Sequence, residues 1–228
     1  MSAYVITIDG PSGSGKGSLA LRVARELGFH ILDSGAIYRL AALQAIRQQA
    51  DLENVSEVLA AISNMQIHFE SGAELTTPYL GEEDVASQIR EEQTAESASI
   101  IAAYPAVREQ LLQLQRDAFQ PPGLVADGRD MGTVVFPQAK IKLYLYASAE
   151  QRAKRRYKQL IDMDLSANIA DLQKEIEIRD ERDQNRPVSP LVPAADAVVV
   201  DSSMMSLDQV FDLVMDHIHT VNNTGAEV

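Results

Sequence analysis

A lysine directly behind a run of glycines is the first feature of this chain that could do chemistry. Gly10-Pro11-Ser12-Gly13-Ser14-Gly15-Lys16-Gly17-Ser18 places three glycines and one proline in the six positions before Lys16. Glycines let successive backbone N–H groups turn toward one anion with no Cβ in the way. Lys16 adds a mobile positive charge suited to the β- and γ-phosphates of a nucleotide. The spacing Gly10-x4-Gly15-Lys16 fits the phosphate-loop pattern. The next position departs from it, because Gly17 stands where Ser or Thr usually ligates Mg²⁺ and a hydroxyl follows only at Ser18.

Further groups of charged and polar residues stand in order along the chain. Ser34, Tyr38 and Arg39 open a helical run; Arg39 there is poorly placed for the helix dipole, which favours a ligand role. Asp127, Arg129 and Asp130 close an apolar run, Leu124-Val-Ala-Asp127. Arg152, Lys154, Arg155, Arg156 and Lys158 place five basic residues in seven positions. Arg179, Asp183 and Arg186 recur at i, i+4 and i+7, which predicts one helix face, with Arg182 beside Arg179. That stripe suits either mutual ion pairs on water or a fork of guanidiniums for a phosphorylated sugar. Ser99 and Arg108, taken alone, favour plain surface roles. His217 and His219 are two apart on an expected helix, so they point to different faces and make no metal site.

The elements that must position these groups follow from periodicity. Val5–Asp9 is a β-branched run expected as a buried strand. A helix is expected from Lys16, burying Leu19, Ala20, Val23, Ala24 and Leu27 and stopping at Gly28. Phe29–Leu32 predicts a second strand, with Asp33 or Ser34 capping a helix over Ala36–Gln49. A short helix lies within Asp51–Asn64, with a cap at Ser56. From Met65 the alternation of Ile67 and Phe69, the turn at Ser71-Gly72 and the extended Tyr79-Leu80 predict a small antiparallel insert. Helices follow over Thr94–Ala103 and from Pro105, the latter with Val107, Leu111, Leu112 and Leu114 on its apolar side. Strands are expected at Leu124–Asp127, Ile141–Ala147 and Ala197–Asp201. Ser148 and Glu150 open one helix, and Ile169–Asn185, with Leu172 and Ile176 inside, forms another. Ser206 and Gln209 form a capping box for a closing helix that buries Val210, Phe211, Val214 and Ile218, and Asn222–Val228 reads as a frayed tail. Ligands of open α/β sheets lie outside the carboxyl ends of the strands, where Asp127, Arg129 and Asp130 fall.

Composition narrows the class. A chain of 228 residues, 46% hydrophobic and 23% charged, suits one sizeable core, expected as a single unit over 1–228. No apolar run approaches the roughly 18 residues of a membrane helix, and the first strand starts too early to leave room for a signal peptide. Zero cysteines exclude disulfides and thiolate-held zinc. A cytoplasmic location is expected. The net charge of −13 argues against nucleic-acid or anionic-membrane partners. It also makes each local arginine cluster more informative.

Four motifs in this order, Ile8-Asp-Gly-Pro-Ser-Gly-Ser-Gly-Lys-Gly17, Asp33-Ser-Gly-Ala-Ile-Tyr-Arg39, Asp127-Gly-Arg-Asp-Met-Gly-Thr133 and Arg179-Asp-Glu-Arg-Asp-Gln-Asn-Arg186, resemble the bacterial cytidylate kinase family over essentially the whole chain. The resemblance implies an α/β nucleoside monophosphate kinase fold, with a five-stranded parallel sheet flanked by helices. It also implies a small antiparallel insert for the monophosphate at about 65–103 and a mobile lid at about 149–166. The implied reaction transfers a phosphoryl group from ATP to CMP or dCMP, with Mg²⁺ as cofactor. Carried over by position, the loop Gly10–Ser18 and Lys16 hold the ATP phosphates. Ser34, Ser99, Arg108 and Asp130 line the cytosine, with Tyr38 beside them. Arg39 and Arg129 meet the CMP phosphate, and Arg179, Asp183 and Arg186 serve the sugar and phosphate side. Lys16, Arg129, Arg179 and Arg186 are the catalytic candidates. Arg152, Arg155 and Arg156 belong to the lid. The family commonly has Thr where Ser18 stands, whereas Gly17 is its own pattern; how Mg²⁺ is held stays open, with phosphates and water the expected ligands.

The competing readings are a P-loop kinase for UMP, AMP or a non-nucleotide acceptor, and a nucleotide-binding switch that makes no product. The number of arginines on the acceptor side argues against the switch. A monomer is expected, since no coiled-coil pattern appears.

Overall fold

The computed structural model describes residues 3–71, 76–162 and 166–224. The chain divides into two compact units, one of residues 1–32 with 118–228 and one of residues 33–117.

The first unit is built on β1 (Tyr4–Asp9), whose β-branched side chains are buried on both faces, as a central parallel strand requires. The phosphate-loop segment leads from it into α1 (Lys16–Leu27), which Gly28 closes in a left-handed conformation, and then into β2 (His30–Asp33). In the second unit follow α2 (Ser34–Arg47), α3 (Val55–Ile62), β3 (Ile67–Ser71), β4 (Thr76–Leu80), β5 (Glu83–Asp84), α4 (Glu92–Ile101) and α5 (Pro105–Arg116). The first unit resumes with β6 (Gly123–Gly128), a π-turn at Met131–Val135, β7 (Ile141–Tyr146), α6 (Ala149–Asp162), α7 (Ile169–Gln184), β8 (Val198–Asp201) and α8 (Leu207–Thr224).

The five-stranded parallel sheet has the order β2-β6-β1-β7-β8. Asp9 is in register with Gly128 of β6 and with Tyr144 of β7. The loop after β1 and the turn after β6 therefore leave the same edge of the sheet side by side. Ile6, Ile8, Leu19, Val23, Leu143, Val210, Val214 and Ile218 share one core, which fixes α1 and α8 against the sheet. The capping box at the start of α8 is present in both directions, with Gln209 N donating to Ser206 Oγ at 3.2 Å and Ser206 N to Gln209 Oε1 at 2.9 Å.

The second unit has its own core of Ala36, Leu40, Leu43, Leu80, Val85 and Ile89, against which Met65, Ile67 and Phe69 pack. The expected antiparallel pair is present, with Ile67 opposite Leu80 and Phe69 opposite Pro78, and a short third strand, β5, extends it. Gly72, expected in its turn, lies outside the described residues.

Several local expectations change. The cap of α3 is Asn54 and not Ser56, because the Asn54 side chain accepts from both Ser56 N and Glu57 N. Asn222–Thr224 continue α8; Asn222 donates to Tyr4 Oη at 2.9 Å and accepts from Lys140 at 2.8 Å, which holds the last turn. Residues 225–228 of the expected tail lie outside the described residues. Leu172 and Ile176 are only half-buried. On α5 the buried stripe is Val107, Arg108, Leu111 and Gln115, while Leu114 faces water.

Candidate active site

The loop after β1 is shaped by its neighbours before any ligand is considered. Gly10 has φ +152°, and a Cβ there would lie 2.1 Å from the Leu145 carbonyl oxygen of β7, so no larger residue fits. Gly15 precedes α1 without capping it by a side chain, which leaves the first N–H groups of the helix for an anion. Lys16 Nζ donates to the Pro11 carbonyl at 3.2 Å and stands 3.8 Å from Asp127 Oδ1. Ser14 Oγ is buried without a hydrogen-bond partner, a position a ligand oxygen can satisfy. The loop carbonyls are engaged from the other side. Ser12 O accepts from Arg152 Nη1 at 3.0 Å, and Ser14 O accepts from Arg155 Nη1 at 3.1 Å and from Ser202 Oγ at 3.3 Å.

Gly17 has a reason of its own. A Cβ there would stand 3.1 Å from Asp127 Oδ2, tighter than an ordinary contact, so a larger residue at 17 would press on that carboxylate. Among the described residues no group of three or more His, Cys, Asp or Glu could hold a metal by itself. The buried Asp127 carboxylate beside a phosphate loop fits Mg²⁺, which takes one or two carboxylates and completes its shell with phosphate oxygens and water.

Asp9, at the end of β1, is a site residue the sequence did not single out. It is 3% exposed, and its two oxygens accept from Met131 N and Gly132 N, each at 2.8 Å. It thus ties the end of β1 to the turn that carries Arg129 and Asp130. Burial pushes its carboxyl up to about 6; the two backbone N–H groups and Lys16 oppose this, and the charge of Asp130 adds to it. The strand-end position that marks Asp127 applies equally to Asp9 and was the available signal.

Of the expected stripe, Arg179 and Asp183 lie on α7, while Arg186 stands two residues beyond the helix end at Gln184 and turns back to Asp183. Arg129 Nε donates to Asp183 Oδ2 at 2.9 Å, Arg186 Nη1 stands 3.8 Å from Asp183 Oδ1, and Arg186 Nη2 donates to Ser189 O at 2.8 Å. Burial alone would raise the Asp183 pKa, but the Arg129 and Arg186 charges hold it below the usual carboxylate value. Burial likewise opposes the charge of Arg129, and the carboxylates of Asp183, Asp127 and Asp180 more than offset it, so its pKa is raised. Arg179 is half-buried one turn before Asp183 on the same helix.

The basic run on α6 is divided and is not one solvated face. Arg152 is 2% exposed; beyond Ser12 it donates to Ala147 O at 2.8 Å and forms a two-point pair with Asp180 of α7. Arg155 also donates to Ser202 O at 2.6 Å. Arg152, Arg155 and Arg156 lie at i, i+3 and i+4 on one side, whereas Lys154 and Lys158 share the exposed one. Asp180 and Ser202 were not foreseen, because their partners are distant in sequence. Residues 163–165, within the expected lid, lie outside the described residues.

In the second unit, Asp33 caps α2 by accepting from Ala36 N at 2.9 Å, which leaves Ser34 in the first turn. Ser34 and Tyr38 are buried and Arg39 is half-buried. Ser99 and Arg108 are buried too, which corrects their plain surface reading. The Arg108 guanidinium lies 5.3 Å from the centre of the Tyr38 ring and donates to Ala102 O at 3.1 Å. Ser34 Oγ donates to Gln115 Oε1 at 2.7 Å, another partner not anticipated. The second unit therefore brings Ser34 together with Gln115 and Arg108 together with Tyr38. The first brings Lys16, Asp127, Arg129, Asp183 and Arg186 to one edge of the sheet.

Comparison with known proteins gives one family. The cytidylate kinase family model matches residues 6–220. The cytidylate kinase of Mannheimia succiniciproducens is 51% identical over 215 residues, covering 94% of this chain and 96% of that one. Those of Vibrio vulnificus and Aeromonas hydrophila are 50% and 52% identical, over 95% and 93% of this chain and 96% and 93% of theirs.

Proposed function

Because the chain belongs to the cytidylate kinase family, we propose that it transfers the γ-phosphoryl group of ATP to CMP or dCMP, giving ADP and CDP or dCDP. The observation that carries this reading is a second cationic centre. A chain of net charge −13 builds one anion site at Lys16 and a second cluster of half-buried Arg129 with buried Asp183 and Arg186. A donor triphosphate and an acceptor monophosphate need two such centres.

The chemistry then follows from charge. The attacking oxygen is already an anionic phosphate, so no general base is required. The work is positioning and stabilising charge on the transferring group. The loop Gly10–Ser18 and Lys16 bind the ATP phosphates. Asp127 helps hold Mg²⁺, which neutralises phosphate charge when bound. Arg39, Arg129, Arg179 and Arg186 serve the acceptor phosphate and sugar, with Asp183 aiming Arg129 and Arg186. Lid movement in the 149–166 segment excludes water that would otherwise hydrolyse ATP, and the 65–103 segment helps bind the monophosphate. No helix among the described residues is long and apolar enough to cross a membrane; we place the enzyme in the cytoplasm as a monomer.

Ser34, Ser99, Arg108 and Asp130 line the base. Cytosine has a 4-amino donor and an N3 acceptor where uracil has an acceptor and a donor. An ionised Asp130 only accepts and Arg108 only donates, so UMP mispairs with both. A coupled ADP-release assay with CMP, dCMP, UMP, AMP and GMP tests the proposal. CMP and dCMP should turn over, UMP at least about tenfold less efficiently, and the purines should be excluded by volume. Equal use of UMP, or preference for another acceptor, would overturn it.

A further inference from the structure

We propose that Gln115, which touches no substrate, sets the enzyme's preference for a cytosine by fixing the direction of the Ser34 hydroxyl. This rests on the reading above, in which Ser34 lines the base.

The polarity is determined step by step. Gln115 is 1% exposed, so water does not supply its partners. Its Nε2 lies 3.2 Å from the Leu111 carbonyl oxygen, which can only accept. The amide NH₂ must therefore face Leu111, and Oε1 must face Ser34. Ser34 Oγ is 2.7 Å from that oxygen and 4% exposed. Since an amide oxygen cannot donate, the serine proton is committed to Gln115. What Ser34 can offer a ligand is then its lone pairs alone. A serine free to rotate would serve a 4-amino or a 4-oxo group equally well. A serine locked as an acceptor satisfies the amine and opposes the oxo group.

The same step explains why a polar residue stands on the buried stripe of α5. Val107, Leu111 and Gln115 recur at i, i+4 and i+8 on one helix face. Leucine would fill the last position and keep the packing, but it would release the Ser34 proton. Gln115 is thus a positioning residue that acts through Ser34.

The test compares kcat/KM for CMP and UMP in the full-length enzyme. Gln115→Leu should lower the CMP-to-UMP ratio by about tenfold, the effect expected when a hydroxyl is freed to pair with either edge. Ser34→Ala should lower it comparably, and Gln115→Leu added to Ser34→Ala should change it no further. Gln115→Glu, protonated in this buried position, keeps a donor toward Leu111 and an acceptor toward Ser34, so the ratio should stay within about twofold of wild type. A loss of packing alone would reduce both substrates alike and leave the ratio unmoved. An unchanged ratio in Gln115→Leu, or an equal further drop in the Ser34→Ala background, would overturn the proposal. Gln115→Met carries the same expectation if Gln115→Leu does not fold. Failure of both to fold also counts against a purely orienting role. Wild-type enzyme with no preference for CMP would instead sink the functional reading on which this inference stands.

Discussion

The two units hold their candidate site residues by different physics. In the first, charge holds charge: Asp183 lies between Arg129 and Arg186, Asp180 pairs with Arg152, and Lys16 rests near Asp127. In the second, a neutral hydrogen-bonded chain runs from Ser34 through Gln115 to Leu111, and the Arg108 guanidinium lies over the Tyr38 ring. Phosphate recognition needs charge density and tolerates many arrangements of it, since Coulomb attraction is weakly directional. Base recognition depends on which atom donates and which accepts, and a short chain of buried hydrogen bonds fixes that. The comparison implies that the first region should respond to loss of charge and to pH. The second should respond to changes that leave the charge untouched.

The largest effect should come from the charge side. Lys16→Ala should keep the fold and lose about a hundredfold or more in kcat, because the side chain acts on phosphate charge. Retention of more than about a tenth of wild-type kcat, a barrier change below about 1.4 kcal/mol, would show that the loop does not use its lysine in this way.

A smaller loss is expected for Arg186→Lys, which keeps the charge and removes the planar fork. The kcat/KM for CMP should fall about tenfold or more, while the KM for ATP stays within about threefold. Normal CMP kinetics would mean that the Arg129–Asp183–Arg186 cluster is held together for stability only. The contrast between the units would then lose half its content.

The third effect is on stability and not on turnover, a linkage at Asp9. Its carboxyl is raised from 3.8 to about 6 in the folded protein, facing Asp130 and Lys16. Below about 3.8 the group is neutral in both the folded and unfolded states, and the native state bears no cost from it. As pH rises through about 6 the unfolded carboxyl is already ionised while the buried one resists, so native stability falls by roughly 3 kcal/mol and then levels off. Urea unfolding of wild type and Asp9→Asn from pH 4 to 7.5 checks this. Wild-type stability relative to the variant should decline between about pH 4 and 6 and be flat above. A relative stability that rises with pH would show that the two backbone donors outweigh burial.

Much of the first unit was legible in the sequence, for a reason specific to its motifs. A phosphate loop is local: strand, glycines, lysine and helix follow one another from Val5 to Leu27, so the spacing alone implies the geometry. Arg179 and Asp183 are readable as one face because a helix face repeats within a few residues, whereas Arg186 joins them from beyond the helix end. The cap at Gly28 and the capping box at Ser206 and Gln209 are local in the same sense.

What only the tertiary structure decided is every contact between residues far apart in the chain. Asp9 grips the backbone of residues 131 and 132, and Ser34 meets Gln115 across 81 positions. Arg152 is buried against Ser12 and Asp180, where the sequence shows only a run of basic residues. Ser99 and Arg108 read as surface residues and are buried, because their neighbours come from other turns and other helices. Short-range patterns determine the backbone and so the places where chemistry can occur. Burial, the partner of each buried polar group and the direction of each hydrogen bond depend on which elements pack together. Those are properties of the folded chain, and no window of sequence contains them.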